Sequence, residues 1–239
     1  MKALILAGGR GKRLDEYSMQ KNKCMIEVNG RPVIEYGLDC AVNTDVDEII
    51  IVVGFRASEI INTYGIKYKN KNLKYIVQQE QRGLVHAMEC CREELNRDDF
   101  ILLLGDEILI NPKHQELINE FKRDDFFAIC GVLKVEDKNL IKRTYNIVQD
   151  DKQLIYRLIE KPRNPLNNIM GTGDCVFKNE ILSYIEYTPT HHERGEKELP
   201  DLIQCAIDDG NKIKSFFICD KYTNINSKED MLIAEGFFK

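Results

Sequence analysis

The sequence predicts an α/β fold: a Rossmann-like, mixed and mostly parallel sheet flanked by helices, with added antiparallel strands in its second half. Three observations carry this prediction. The chain has 239 residues, 43% of them hydrophobic, and can therefore bury one sizeable core. Short apolar runs alternate with segments of helical periodicity in the first half. Longer strand candidates separated by charged turns follow in the second half.

The first half supplies the alternating elements. Its strand candidates are Ala3–Ala7, Ile49–Val53, Tyr75–Val77 and Phe100–Leu104. Its helix candidates are residues 31–43, 56–63, 83–95 and 113–122. Because parallel strands need crossover connections, usually helices, this order favours a parallel sheet covered on both faces.

The second half adds strands that we expect to be mixed or antiparallel. Its strand candidates are Phe126–Val135, Tyr145–Val148, Gln153–Ile159 and Asp174–Phe177. A helix at 198–208, a strand at Ile213–Ile218 and a helix at Ser227–Gly236 complete the chain. No repeat or linker interrupts this order, so we predict one domain over residues 1–239.

The composition argues against several classes of protein. A formal net charge of −5 disfavours a nucleic-acid binder, which usually presents a basic face. Eight cysteines without a C-x-x-C pair indicate a reducing compartment and no disulfide framework. The apolar run Ala3–Ala7 is too short for a signal sequence or a membrane span. We therefore expect a cytoplasmic protein that binds neither nucleic acid nor membrane.

A glycine-rich loop follows the first predicted strand, at the sheet edge where ligands bind in open parallel sheets. The glycines of Gly8–Gly11 let backbone amides approach an anion, and basic side chains up to Arg13 add positive charge. The spacing fits neither a Walker A loop, because Leu6 stands at its first glycine, nor the dinucleotide fingerprint, because Leu14 stands at its last. The loop indicates a polyphosphate site, with a plain tight turn as the alternative.

Three ordered motifs, Leu6–Leu14, Lys23–Ile26 and Gly30–Ile34, resemble the opening of the nucleoside-diphosphate-sugar pyrophosphorylases, which are sugar-1-phosphate nucleotidylyltransferases. The resemblance continues through Gln78–Met88, Leu104–Asp106, Glu160–Pro162, Gly171–Gly173, Arg194–Glu196 and Asn224–Met231. It implies the nucleotide-diphospho-sugar transferase type of fold. It also implies a nucleotide-binding part over about residues 1–125 and an acceptor-binding part over about 126–239.

The resemblance implies transfer of a nucleoside monophosphate from UTP or dTTP to a sugar 1-phosphate, which gives a nucleotide sugar and pyrophosphate. One alternative is a cytidylyltransferase that acts from CTP on another small phosphate or phosphonate. Another is a catalytically silent subunit that binds nucleotide sugars, although retention of Arg13, Lys23, Asp106 and Lys161 speaks against it. The expected partners are a nucleoside triphosphate and a phosphorylated acceptor, and assembly into oligomers stays open.

The resemblance assigns catalytic roles to three cations. Arg13 is expected to hold the leaving phosphates, Lys23 to contact the phosphates at the reacting centre, and Lys161 to bind the sugar phosphate. The family usually has proline on both sides of the first lysine, whereas this sequence has Asn22 and Cys24.

The segment that begins at Gln78 is similar to the Q-x-E-Q-x-G-x-x-H-A segment of N-acetylglucosamine-1-phosphate uridylyltransferases. This similarity implies that Gln78 and Gly83 recognise a pyrimidine, since an amide matches the donor and acceptor edge of uracil or thymine. A polar strand end before a helix is the alternative. The remaining expected nucleotide contacts are Leu6, Ala7, Gly8, Gly9 and Gly11.

Asp106 follows an apolar strand, where its carboxylate is expected to hold Mg²⁺. Asn224 aligns with the aspartate of the thymidylyltransferase pattern D-x-G-T-P-E-D-L and is the second expected ligand. The alternative is that Asn224 or Asn226 caps the last helix. Glu107 departs from the small or amide residues common at its position and is either a supporting group or a surface acid.

The acceptor side is expected to use Glu160 for sugar hydroxyls, with Gly173 and Asn146 as further contacts. Asp174 and Cys175 replace the usual apolar and aromatic residues after the glycine segment. The sequence therefore leaves the identity of the acceptor open.

Overall fold

The computed structural model describes residues 1–11 and 21–239. Its strands are β1 (Lys2–Ala7), β2 (Glu27–Val28), β3 (Arg31–Pro32), β4 (Ile49–Val53), β5 (Lys67–Tyr68), β6 (Lys71–Val77), β7 (Phe100–Leu104), β8 (Glu107–Ile110), β9 (Ala128–Lys134), β10 (Tyr145–Gln149), β11 (Ile155–Glu160), β12 (Ile169–Phe177), β13 (Ile213–Phe217) and β14 (Lys221–Asn224). Its α-helices are α1 (Ile34–Val42), α2 (Ala57–Tyr64), α3 (Leu84–Cys90), α4 (Arg92–Leu95), α5 (His114–Arg123), α6 (Leu199–Asp208) and α7 (Lys228–Gly236). Short 3-10 helices lie at Lys23–Met25, Ile141–Arg143 and Asn179–Ile185.

The described chain divides into two compact units. Unit 1 comprises Met1–Gln81, Leu102–Gln115 and Cys219–Lys239, and unit 2 comprises Arg82–Ile101 and Glu116–Ile218. Each unit is therefore built from separate stretches of sequence. The functional division near residue 125 stays a prediction.

Unit 1 contains the predicted parallel strands. β1, β4 and β6 pair in parallel, and the short β5 pairs antiparallel with β6. All five residues of β4 are buried aliphatic side chains, as expected for a strand covered on both faces. The register pairs Ala7 with Val53 and Val53 with Val77, so the three strands end side by side. The loops that follow them therefore start at one edge of the sheet.

Unit 2 contains the added antiparallel strands. β10 pairs antiparallel with β11 and β12, β12 pairs antiparallel with β9, and β13 runs parallel to β9. β12 is longer than predicted, because it also takes in Gly171–Gly173. A Cβ atom at Gly171 would lie 2.0 Å from the ring of Tyr145, so only glycine fits there. Gly171, which interrupts the apolar pattern of this strand, is thus required by its packing.

Several elements of the structure differ from the predicted ones. Arg31–Pro32, at the start of the predicted helix 31–43, form β3, and β2 and β5 were not predicted. The predicted helix 83–95 divides into α3 and α4 at Cys91. The strands β8 and β14, which the sequence did not predict, pair antiparallel and place Asn224 opposite Glu107. This pair packs on an apolar cluster of Val28, Val33, Ile108, Ile225 and Ala234. It brings the segment after Asp106 beside the segment before α7.

The eight cysteines are free thiols. Over residues 1–11 and 21–239, the structure contains no helix with the length and apolar character needed to cross a bilayer.

Candidate active site

The glycine loop starts where β1 ends, beside the ends of β4 and β6. A Cβ atom at Gly8 would lie 2.9 Å from Gln78 Oε1, and one at Gly54 would lie 2.7 Å from the carbonyl oxygen of Gly8. Only glycine at position 54 lets the backbone of Gly8 approach so closely, whereas Gly8 leaves room for the end of the Gln78 side chain. The Gln78 side chain, 4% exposed, is thereby held against the loop. Leu6 and Ala7, also predicted to contact the nucleotide, end β1 at the same edge.

Asn22 fixes the backbone at Lys23. Its Oδ1 accepts a 2.8 Å hydrogen bond from Cys24 N and so caps the 3-10 helix, while its Nδ2 donates to the Phe55 carbonyl at 2.6 Å. The side chain is completely buried. Where the family pattern has proline, this chain therefore fixes the turn through the hydrogen bonds of an asparagine.

The ammonium group of Lys23 is held by oxygen atoms from two other segments. Lys23 Nζ donates to the Asp106 carboxylate and, at 2.9 Å, to Asn226 Oδ1. The two charged side chains are only 9% and 18% exposed, so water screens their attraction weakly. Gly11 has φ +64°, and a Cβ atom there would lie 3.1 Å from Lys23 Cβ. The glycine loop thus covers the stem of this lysine.

Asn224, which ends β14, and Asn226, which follows it, have different neighbours. Asn224 Oδ1 accepts a 2.6 Å hydrogen bond from Asn226 Nδ2, so Asn224 is linked to Lys23 only through Asn226. The cap of α7 is Ser227, whose Oγ accepts from Asp230 N at 3.3 Å. The interpretation of either asparagine as the side-chain cap is therefore wrong. The sequence missed Asn226, because the N-x-N spacing does not reveal which amide reaches the cation.

Asp106 lies between two tightly placed residues. A Cβ atom at Gly105 would lie 3.1 Å from the carbonyl oxygen of Leu6, so glycine is needed at that approach. Glu107 is 3% exposed, and its Oε1 accepts a 2.5 Å hydrogen bond from the Tyr222 hydroxyl. The interpretation of Glu107 as a surface acid is therefore wrong.

Cys24 adjoins the same group but offers no nucleophile. Burial raises the pKa of its thiol, and the nearby Asp106 carboxylate raises it further. Because the thiolate is the reactive form, this cysteine is expected to be inert.

A second charged group lies in unit 2 where β11 ends. Lys161 Nζ lies 2.7 Å from Glu160 Oε1, and Arg194 Nη2 lies 3.6 Å from the same oxygen. Arg194 Nε also pairs with Glu198 Oε1 at 2.6 Å. Burial raises the pKa of Glu160, while Lys161 and Arg194 act in the opposite direction. The structure thus brings together two residues predicted for the acceptor, and it adds Arg194 to them.

The other predicted acceptor residues occupy structural positions in unit 2. Asn146 is completely buried, and its Nδ2 donates to Asn167 Oδ1 at 2.7 Å and to the Ile169 carbonyl at 2.9 Å. Its Oδ1 accepts from Leu166 N at 2.8 Å. Gly173 lies within β12. The acceptor roles of Asn146 and Gly173 stay predictions, and these hydrogen bonds give Asn146 a structural role.

Gly83 precedes α3 with φ +88°. A Cβ atom there would lie 2.8 Å from Glu196 Oε2, so this carboxylate stands directly over the glycine. The sequence had assigned Glu196 no role of its own. Recognition of the base by Gly83 stays a prediction.

A sequence model of the family described as nucleotidyl transferase matches residues 2–223. The chain belongs to this family. AglF of Haloferax volcanii, a UTP–glucose-1-phosphate uridylyltransferase, is 30% identical over 235 residues, which cover 98% of this chain and 95% of AglF. A glucose-1-phosphate thymidylyltransferase of Streptomyces griseus is also 30% identical over 235 residues, but this chain spans 64% of its length.

A solved UDP-glucose pyrophosphorylase in complex with UDP-glucose has the same fold. Its TM-score is 0.88 at 17% identity, and the match covers 99% of this chain and 97% of that chain. The predicted fold class and the predicted family are thus confirmed. The finer assignments within this nucleotidyltransferase depend on its own residues.

The predicted site residues of this nucleotidyltransferase fall into separate contact groups. In unit 1, Gly8 contacts Gln78. A separate group in unit 1 is centred on Lys23, which contacts Gly11, Asp106 and Asn226, and Asn226 in turn bonds Asn224. Unit 2 joins Glu160 with Lys161. Gly9 continues the loop after Gly8, and no atom of residues 1–11 or 21–239 beyond its chain neighbours lies within 4 Å of a Cβ placed there. Arg13 lies outside the described residues, so its role stays a prediction.

Proposed function

We propose that this nucleotidyltransferase transfers a nucleoside monophosphate from UTP or dTTP to a sugar 1-phosphate, giving a nucleotide sugar and pyrophosphate. The observation that carries the proposal is the hydrogen bonding of the Lys23 ammonium to the oxygens of Asp106 and Asn226, under the glycine loop. Cations and oxygen ligands at this sheet edge suit a polyphosphate. The similarity to AglF over nearly its whole length supports a sugar 1-phosphate acceptor.

In the proposed reaction, a phosphate oxygen of the acceptor attacks the α-phosphorus of the triphosphate. The bond from that phosphorus to the bridging oxygen breaks, and pyrophosphate leaves with the electron pair. Amides of Gly8–Gly11 and the side chain of Arg13 hold the departing phosphates, and Lys23 neutralises charge at the reacting centre. No covalent enzyme intermediate is needed.

The residues around Asp106 fit a divalent cation. The Lys23 ammonium already donates hydrogen bonds to one carboxylate oxygen and one amide oxygen, and Mg²⁺ prefers such oxygen ligands. Across the described residues, no group of three or more His, Cys, Asp or Glu could hold a metal by itself. We therefore infer that substrate phosphates and water complete its coordination. When bound, Mg²⁺ would neutralise charge on the α-phosphate and the acceptor phosphate.

On the acceptor side, Lys161 is proposed to bind the phosphate of the sugar 1-phosphate, and Glu160 its hydroxyl groups. Lys161 Nζ is partly exposed and exchanges its contact with Glu160 for the incoming phosphate. Arg194 remains as a counter-charge to Glu160. On the nucleotide side, the Gln78 amide is proposed to match the edge of uracil or thymine.

A substrate panel tests this proposal. Pyrophosphate release would be measured with Mg²⁺ for UTP, dTTP and CTP, each with glucose 1-phosphate, N-acetylglucosamine 1-phosphate or phosphocholine. We expect release with UTP or dTTP and a sugar 1-phosphate. Release from CTP and phosphocholine alone would establish the cytidylyltransferase alternative. Binding of nucleotide sugars with no release from any pair would establish the silent subunit.

A further inference from the structure

A buried carboxylate lies directly behind the asparagines of the proposed cation site. Glu107 begins β8 and is paired in register with Asn224 on β14. Its Oε1 accepts a 2.5 Å hydrogen bond from Tyr222 and lies 3.5 Å from Asn224 Nδ2. The hydrogen bonds then continue from Asn226 Nδ2 to Asn224 Oδ1, and from Lys23 Nζ to Asn226 Oδ1. A series of contacts thus runs from Glu107 to the cation position.

The chemistry of these groups gives the series a direction. Glu107 Oε1 accepts the hydrogen of the Tyr222 hydroxyl and meets Asn224 as an acceptor, whereas an amide has one end that donates and one that accepts. Asn224 therefore points its Nδ2 toward Glu107 and its Oδ1 toward Asn226. Asn226 must then offer its own Nδ2 to that oxygen, which leaves Asn226 Oδ1 for the cation. If both amides were reversed, an NH₂ group would face the cation and repel it.

We propose that Glu107 is a positioning residue that orients Asn224 and Asn226 so that a carbonyl oxygen faces the cation site. The inference rests on the proposed function, because it takes the Asp106 group as the place where the divalent cation binds. Thymidylyltransferases with an aspartate at the position of Asn224 do not need such a device, because a carboxylate presents oxygen in either orientation.

The test compares Mn²⁺ binding in four proteins. The dissociation constant would be measured from the electron paramagnetic resonance signal of free Mn²⁺, with UTP present and no acceptor. For Glu107→Gln we expect the constant to rise about 10-fold or more, the range typical of residues that orient metal ligands. Adding Asn226→Asp to that variant should recover most of the loss, because a carboxylate needs no orientation. Glu120→Gln, which breaks a partly buried pair with Lys214, should bind Mn²⁺ like the wild type.

Each other outcome is decisive. Wild-type Mn²⁺ binding by Glu107→Gln would overturn the inference, as would a loss that Asn226→Asp does not recover, which would mark Glu107 as a purely structural residue. If Glu107→Gln does not fold, Asn224→Ala interrupts the same series and should show the same loss and the same recovery.

Asp106→Asn separates the two proposals. If it keeps normal Mn²⁺ binding and pyrophosphate release, the cation site itself has been misplaced, whatever Glu107 does.

Discussion

The charged group around Asp106 and the one around Glu160 are built differently. In unit 1, Lys23 is 9% exposed and is held by a capped turn, a covering glycine and two oxygen atoms from distant segments. In unit 2, the Lys161 side chain is 42% exposed and pairs with its own neighbour in sequence. The first group is rigidly organised before any substrate binds. The second has a cation on a more exposed side chain, which fits the proposed role of Lys161 in binding the acceptor phosphate.

The largest expected effect tests the rigid group. Asp106→Asn should lower kcat by about 10²–10³-fold, because the substitution removes the negative charge from the proposed cation site. Circular dichroism should still show a folded protein, whereas the thermal midpoint should fall, because the largely buried Lys23 ammonium loses its charged partner. The matched control is Asp220→Asn, an exposed aspartate of unit 1 that bonds Asn111. Equal activity of the two variants would contradict the assignment.

Lys23→Met should separate catalysis from stability. We expect kcat to fall by about 10²-fold through loss of a charge at the reacting centre. Without a divalent cation, the free energy of unfolding should fall by roughly 1–3 kcal/mol, less than for a wholly buried pair because Asp106 is partly exposed. Mg²⁺ should restore part of this loss by taking the place of the ammonium. Urea titrations with and without Mg²⁺ measure the free energy of unfolding. An equal loss of stability under both conditions would argue against a position shared by the Lys23 ammonium and Mg²⁺.

Lys161→Ala should act on the acceptor alone. Loss of one charge-assisted hydrogen bond is expected to raise KM for the sugar 1-phosphate about 10-fold or more. The KM for the nucleoside triphosphate should change little, and initial rates over a grid of both substrates would show this. Lys138→Ala, an exposed cation of unit 2, serves as the control. An equally large rise in the KM for the triphosphate would contradict the assignment of Lys161 to the acceptor.

The comparison also shows what the sequence could predict. The buried run of β4 was predicted with its observed bounds, because uninterrupted aliphatic residues identify a strand covered on both faces. The four-residue strands β8 and β14 were missed, since the apolar run of β8 is only three residues long and β14 is mostly polar. Lys23 and Asp106 were predicted through motifs, but Asn22 and Asn226 were not. Their roles depend on hydrogen bonds between segments that lie far apart in the chain.

The smallest expected effect is on the pH dependence of stability and arises from Glu160. Burial raises the pKa of this carboxyl, so the folded protein holds its proton more tightly than the unfolded chain does. The resulting contribution to stability is fully present below the ordinary glutamate pKa and is lost as the pH rises through the raised value. Glu160→Gln cannot titrate, so its thermal midpoint should fall less than that of wild type across this window. If the two proteins show the same change of thermal midpoint with pH, Lys161 and Arg194 fully offset the effect of burial on the pKa of Glu160. This group would then be as strongly organised as the one around Asp106.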